Sequence, residues 1–197
     1  MQTLKTIAKL SAVIGFWAMT CASGYSADIN CLTFTLDKVD VVRRIVAERP
    51  TLAPFSYVQF CQTNPGDCRG GAMVFIAMTP HARRLIDRVN SVVNRVITPR
   101  YDLTDMWIAD TTSGDCEDYA LTKRRALIRA GFPASALSLA VGRTRFGEGH
   151  AVLVARTTAG DLVLDNRTDA IRPWHRTDLS IVQIASGANP KIWYAVR

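Results

Sequence analysis

Gly114-Asp115-Cys116-Glu117-Asp118-Tyr119-Ala120 is the stretch on which the reading of the fold turns. It closes an irregular polar run, Ala109 to Ser113, and opens a helical one that continues from Leu121 to Ala130. Gly131 and Pro133 then supply a helix stop: a residue that tolerates the left-handed C′ conformation, followed by one that cannot continue a helix. Cys116 is thereby placed in the first helical turn, where free backbone N–H groups and the positive end of the helix dipole favour an anion and lower a thiol pKa. Asp115, Glu117 and Asp118 pull the other way, because like charges nearby raise an acid's pKa. A cation that neutralised them would settle the conflict.

Past Pro133 the pattern changes from helical to period two. Leu137–Val141, Ala151–Val154, Leu162–Leu164 and Ile192–Val196 read as strands. Helices first and strands afterwards indicate an α+β fold with an antiparallel sheet, the cysteine-bearing helix packed on it. A turn around Thr158-Ala159-Gly160 makes the second and third strands a hairpin. His150 begins the second strand and Asp165 ends the third. Side chains alternate along a strand, so His150, Val152 and Val154 share a face. A four-residue loop at Thr157–Gly160 sets Asp165 opposite Val152 and diagonal to His150, roughly 7–8 Å away at the backbone and within reach of an imidazole. A two-residue loop at Thr157-Thr158 pairs the two directly. A three-residue loop puts them on opposite faces unless a bulge restores the parity.

The chain order is then a cysteine at a helix N-terminus, a histidine at a strand start and an aspartate on the neighbouring strand. That is the arrangement of a thiol nucleophile, a base, and a carboxylate that orients the base. Each residue alone has a plainer explanation: a buried structural cysteine, a hydrogen-bonded strand histidine, a turn at Asp-Asn. Their arrangement together favours catalysis. His81 near a helix start and His175 after Trp174 are rival bases, ranked lower because neither lies on a strand paired to a carboxylate.

Upstream, Thr79 can cap a helix with Pro80 at its first position and Pro99 just past its end. Ala82, Leu85, Ile86, Val89, Val92, Val93, Val96 and Ile97 recur on one face of it, as a core helix requires. Asp37 to Arg49 reads as a short amphipathic helix ended by Pro50, Thr51 to Gly71 as turn-rich, and Arg100 to Ser113 as a loop exposing Tyr101 and Trp107.

Residues 1–24 read as a secretory signal peptide: Lys5 and Lys9, an apolar run from Leu10 to Met19, then the small residues Ala22-Ser23-Gly24. The run is shorter than the roughly 18 residues that span a bilayer, and the Ala18-Met19-Thr20 before Cys21 lacks the leucine of a lipoprotein site. Residues 25–197 then form a single domain, placed in the periplasm or the medium. Removing two of the 24 basic residues against 17 acids leaves 22 − 17 = +5. The basic residues fall in separate helical clusters, Arg43-Arg44, Arg83-Arg84 and Lys123-Arg124-Arg125, expected as solvated faces. Nucleic-acid binding would want a basic stripe interleaved with aromatics, and none is present. The cysteines suit an oxidising compartment. Cys61 and Cys68 flank a Pro-Gly turn and can close a local disulfide, leaving Cys31 over, although spacing alone does not fix connectivity.

Gly-Asp-Cys116-Glu-Asp-Tyr-Ala, then Gly-Glu-Gly-His150-Ala-Val-Leu, then Leu-Asp165-Asn, in that order, resembles the bacterial transglutaminase-like cysteine peptidases, over roughly Pro54 to Arg197. That group includes periplasmic proteases that clip adhesins from the cell surface. The resemblance implies a papain/transglutaminase-like fold with Cys116 as nucleophile, His150 as base and Asp165 as orienting carboxylate. It also implies Ca²⁺ held by Asp115, Glu117 and Asp118, in keeping with the liking of that ion for carboxylates. The expected activity is hydrolysis of peptide bonds in a protein substrate, a surface adhesin among the candidates. Transfer of the acyl group to an amine and a non-catalytic binding module of the same fold are the alternatives.

Overall fold

A computed structural model describes residues 43–101 and 105–197. The expected signal peptide, Cys31 and the first part of the helix expected from Asp37 lie outside the described residues. The elements follow in chain order: β1 (Ala47–Thr51), α1 (Phe55–Thr63), α2 (Pro80–Val96), β2 (Thr98–Pro99), β3 (Ser113–Gly114) and α3 (Cys116–Arg129). The second half holds β4 (Leu137–Arg143), β5 (Gly149–Thr157), β6 (Gly160–Leu164), β7 (Arg172–Pro173), β8 (Ser180–Ala185) and β9 (Trp193–Val196). Among the described residues one sheet runs β1-β9-β8-β4-β5-β6-β7, antiparallel at every pairing. Apart from edge strand β1 and the short β2 and β3, the helices come first and the antiparallel sheet afterwards, which is the expected α+β order.

The strands carry apolar residues on both faces. Leu139, Leu153 and Leu164 point to the side shared with Ala120, Leu121 and Leu127 of α3 and Ile86 of α2. Ala140, Val152, Val154 and Val163 fill a second cluster with Ile181 and Ile184. The helix α3 packs on β5 and β4, and α2 packs on α3. Gly131 takes a positive φ of 92° at the end of α3, as its place in the stop signal requires.

Several local expectations give way to tertiary context. Ala47–Arg49, read as the end of a helix, is edge strand β1, with Pro50 opposite Tyr194 of β9; an edge position accepts a residue with no N–H to offer. Within the turn-rich Thr51–Gly71, Tyr57, Phe60 and Cys61 form one buried stripe, and α1 forms around it. Trp107, expected exposed, is buried edge-on against Tyr57 at 5.6 Å between ring centroids, and Tyr57 meets Trp193 at 5.3 Å. Such pairs are each worth about 0.5–1.5 kcal/mol beyond their buried area. The stripe of α2 is narrower than its periodicity suggests: Ala82, Ile86, Val93 and Ile97 are buried, Val92 and Val96 are exposed, and Asn90 is buried instead. Lys123 and Arg124 are buried rather than solvated. Arg124 is held by the carbonyls of Leu137 and Asp67. Strand β8 carries no period-two signal strong enough to stand out, and its pairing with β4 and β9 makes it a strand.

Cys61 and Cys68 form the expected disulfide, joining the end of α1 to the loop that follows. Its neighbour Asp67 pairs with Arg125 of α3, so the loop is tied to the outer side of that helix.

Candidate active site

The start of α3 is shaped by its own residues. Asp115 occupies the N-cap in an extended conformation, and Asp118 at N3 reaches back so that its Oδ2 accepts the Asp115 N–H at 3.4 Å. Asp118 Oδ1 accepts the Ile108 N–H at 2.7 Å, which fastens the preceding loop to the helix. Gly114 is needed here, because a Cβ at that position would collide with the Asp118 carboxyl group. Asp118 therefore builds the turn that presents Cys116.

Cys116 is the first helical residue and is half-buried. Its thiol donates to Glu117 Oε2 at 3.1 Å, and its sulfur accepts the Ala151 N–H at 3.3 Å. Burial pushes the thiol up to about 12; the Glu117 charge adds to this and the Ala151 N–H opposes it. Burial likewise pushes Glu117 up to about 7, offset in part by the bond from Cys116 and increased by Asp115 beside it. The dipole effect expected at this helix end is thus outweighed by desolvation and by the neighbouring acids, and the resting sulfur is a thiol.

His150 is the second residue of β5, paired with Gly142 of β4, and it is buried. The pairs Thr157↔Gly160 and Leu153↔Leu164 give the hairpin the register in which Asp165 falls opposite Val152 and diagonal to His150. The side chains meet: His150 Nε2 lies 2.9 Å from Asp165 Oδ1. Asp165 is held well below the usual carboxylate range; burial alone would raise it, but hydrogen bonds from His150 and Arg167 outweigh that. An ionised carboxylate only accepts, so the proton of the pair sits on Nε2, and Nδ1 is left as the basic nitrogen.

Other groups around Asp165 left no mark in the sequence pattern. Arg167 Nε and Nη2 donate to Asp165 Oδ2 at 3.0 and 2.7 Å, and the Arg167 N–H donates to Oδ1 at 2.9 Å. Asn94 of α2 donates to the Asp165 carbonyl at 3.1 Å, and Asn90 donates to those of Thr168 and Asp169. These two asparagines sit on a helix whose apolar period hid them. Lys123 lies two turns along α3 from Cys116, fully buried, its Nζ without a hydrogen-bond partner and 5.9 Å from the Tyr119 ring centroid. Burial pushes this amine down to about 7, against the pull of Asp165 and Asp169.

His81 and His175 are exposed, the latter with its ring edge-on to Trp174. His81 lines a cavity of about 980 Å³ beside α2 that none of Cys116, His150 and Asp165 lines. The three acids expected to hold a metal do not fit a cage as they stand. Both Asp118 oxygens are taken by backbone N–H groups and Glu117 is taken by the thiol. Among the described residues no group of three or more His, Cys, Asp or Glu side chains is placed to hold a metal ion.

Comparison with solved structures finds the same fold. Calcium-bound LapG of Legionella pneumophila superposes with a TM-score of 0.52 at 25% identity, over 60% of this chain and 71% of LapG. A second LapG structure gives a TM-score of 0.51 at 24% identity, over 60% and 69%, and supports the fold alone. Comparison with curated proteins gives no match. The family model of the bacterial transglutaminase-like cysteine proteinases, BTLCP, matches residues 47–197. The chain belongs to that family, and it is a cysteine peptidase with the transglutaminase-like fold.

Proposed function

We propose that this peptidase cleaves its protein substrate through Cys116, His150 and Asp165. The observation that carries the reading is a convergence: three elements far apart in sequence bring the thiol to the Ala151 N–H and the His150 imidazole to Asp165. Nδ1 of His150 takes the thiol proton as the sulfur attacks the scissile carbonyl carbon and the S–C bond forms. The Cys116 N–H, at the first position of α3, stabilises the oxyanion. The C–N bond then breaks, the amine leaves with the proton from His150, and a thioester remains on Cys116. Water, deprotonated by Nδ1, attacks that thioester, and the acid product and the thiol are restored. Asp165 keeps the imidazole in the correct tautomer and steadies the imidazolium formed in each half.

Residues 1–24 serve as the export signal and the single domain 25–197 acts in the periplasm, on a cell-surface or periplasmic protein such as an adhesin. The Cys61–Cys68 disulfide suits that compartment, and no helix among the described residues is long and apolar enough to cross a membrane. Calcium belongs to the proposal through the likeness to calcium-bound LapG and through the mutual repulsion of Asp115 and Glu117, which a divalent cation would relieve. Asp115, Glu117 and Asp118 would hold it only if Asp118 left its backbone partners, so no step is drawn through the metal.

The test is to incubate envelope proteins with the mature enzyme or with C116S, with calcium or with EGTA, and to sequence new N-termini. New termini made by the wild type alone are expected. Their absence under every condition, or equal numbers with C116S, would overturn the reading. Products ending in an amine adduct when an amine is added would turn it towards acyl transfer.

A further inference from the structure

Asp165 follows the last ladder pair of β6, Leu153↔Leu164, so the sheet does not hold its side chain. A carboxyl group at the start of a loop can turn about χ1 and χ2, and the His150 bond uses only Oδ1. The Arg167 N–H holds Oδ1 as well, at 2.9 Å, and the guanidinium of Arg167 holds Oδ2 and so completes the plane of the carboxylate. One edge of the fork meets Asp165, with Nε and Nη2 both on Oδ2. The other edge meets Asp178, with Nη2 on Oδ1 at 2.7 Å and Nη1 on Oδ2 at 3.1 Å. Asp178 lies just before β8, so the planar group is pinned from two separate segments.

We propose that Arg167, clamped by Asp178, is a positioning residue that aims Asp165 Oδ1 at His150 Nε2; the proposal rests on the Cys116–His150–Asp165 reading above. The arrangement extends the triad outward as His150–Asp165–Arg167–Asp178. Arg167 is about one third exposed. Its charge is therefore partly screened by water, and its orienting role comes from geometry. A guanidinium transmits a plane because its donors are fixed in a fork; a lysine ammonium carries the same charge but no plane. The competing explanation is an ordinary surface ion pair, which adds at most about 1 kcal/mol to stability and nothing to the chemistry.

The two are told apart by the rate at which iodoacetamide alkylates Cys116, followed by mass spectrometry of the Cys116 peptide, together with the melting temperature of each variant. R167Q should slow alkylation by about tenfold, the scale on which outer partners of a site act, and D178N should slow it less. R167K should not recover the wild-type rate. In the D165N background, R167Q should add nothing, because an arginine that acts through Asp165 has nothing left to position. Wild-type rates in R167Q or in R167K, with D165N slow, would overturn the role of Arg167 while leaving the triad standing. A wild-type rate in D165N itself would overturn the triad reading, a result distinct from the first. Should R167Q fail to melt cooperatively, folded D178N decides: a reduced rate supports the clamp and an unchanged one sinks it.

Discussion

The Ala151 N–H points at the Cys116 sulfur at 3.3 Å, and this bond joins the start of α3 to the edge of β5 that β6 leaves open. The β5–β6 ladder ends at Leu153↔Leu164, so a strand amide that would have met β6 meets the thiol instead. The residue before it, His150, is thereby carried beside Cys116. The site depends on where a strand stops as much as on which residues it contains.

C116S and H150A should abolish peptide cleavage; C116S should melt close to the wild type, and H150A should stay folded but melt below it, because buried Asp165 loses a hydrogen bond. D165N should retain activity lowered on the order of 10²-fold or more, because it disturbs the tautomer and aim of His150 and leaves the nucleophile in place. Turnover by C116S at the wild-type rate would move the chemistry to another residue.

The depressed pKa of Asp165 has a signature in stability against pH. A carboxyl group whose folded pKa lies below its unfolded value of about 3.9 contributes stability that is present above that pH and is lost as pH falls towards the folded value. D165N should therefore melt below the wild type at pH 7, and the gap should begin to narrow as the pH falls below about 4. A gap that is constant down to pH 2.5 would show that Asp165 does not titrate as a buried, bonded carboxylate.

Lys123 also makes stability rise with pH, but by relief of a burial cost rather than by gain of a contact. Its amine is pushed down to about 7 from an unfolded value of about 10.4, so between these values the unfolded chain binds the extra proton and stability rises with pH. K123M removes the cost of burying a charge, which is largest below pH 7 and vanishes near pH 10. The variant should melt several degrees above the wild type at pH 6.5, with the gap shrinking by pH 9.5. A pH-independent gap would contradict a neutralised amine.

The Cys61–Cys68 disulfide closes a short loop, with a sequence separation of 7. Loop-closure entropy alone assigns it about 2.5 kcal/mol, which is about 5–10 °C in a domain of this size. Thermal melts of the C61S/C68S double variant test this value. Cleavage activity should persist below the new midpoint, since neither sulfur belongs to the site. Activity lost in a variant that is still folded would point to a role for α1 in substrate binding.

Calcium, if bound by the folded state alone, should raise the melting temperature by about 5–10 °C at a hundredfold excess over its dissociation constant. Mg²⁺ should do so poorly, and D115A or E117A should remove the shift. A melting curve indifferent to Ca²⁺ and EGTA would leave Asp115 and Glu117 as helix-start acids, as Asp118 already is in its backbone contacts.

The sequence by itself determined α2 and α3 and the four strands with clear alternation; it offered the Cys61–Cys68 bond and, among three loop lengths, the hairpin register that brings His150 to Asp165, and the structure chose both. These are local matters: a helix period, a stop at Gly131, a turn at Thr158-Ala159, a loop between two nearby cysteines. Only the tertiary structure decided the rest. Pro50 became part of an edge strand because β9 needed a partner, and Trp107 was buried because Tyr57 and Trp193 formed an aromatic wall. Asn94 and Arg167 were found to hold Asp165 only once α2 and the segment before β8 were in place. The thiol makes the same point. From sequence, Cys116 was balanced between a helix dipole and three acids, and the balance could not be struck without knowing burial. Desolvation and the Glu117 contact settle it in favour of the protonated sulfur. Periodicity and turn chemistry act over a few residues and can be read along the chain; desolvation and long-range hydrogen bonds depend on what is packed alongside, and exist only after folding.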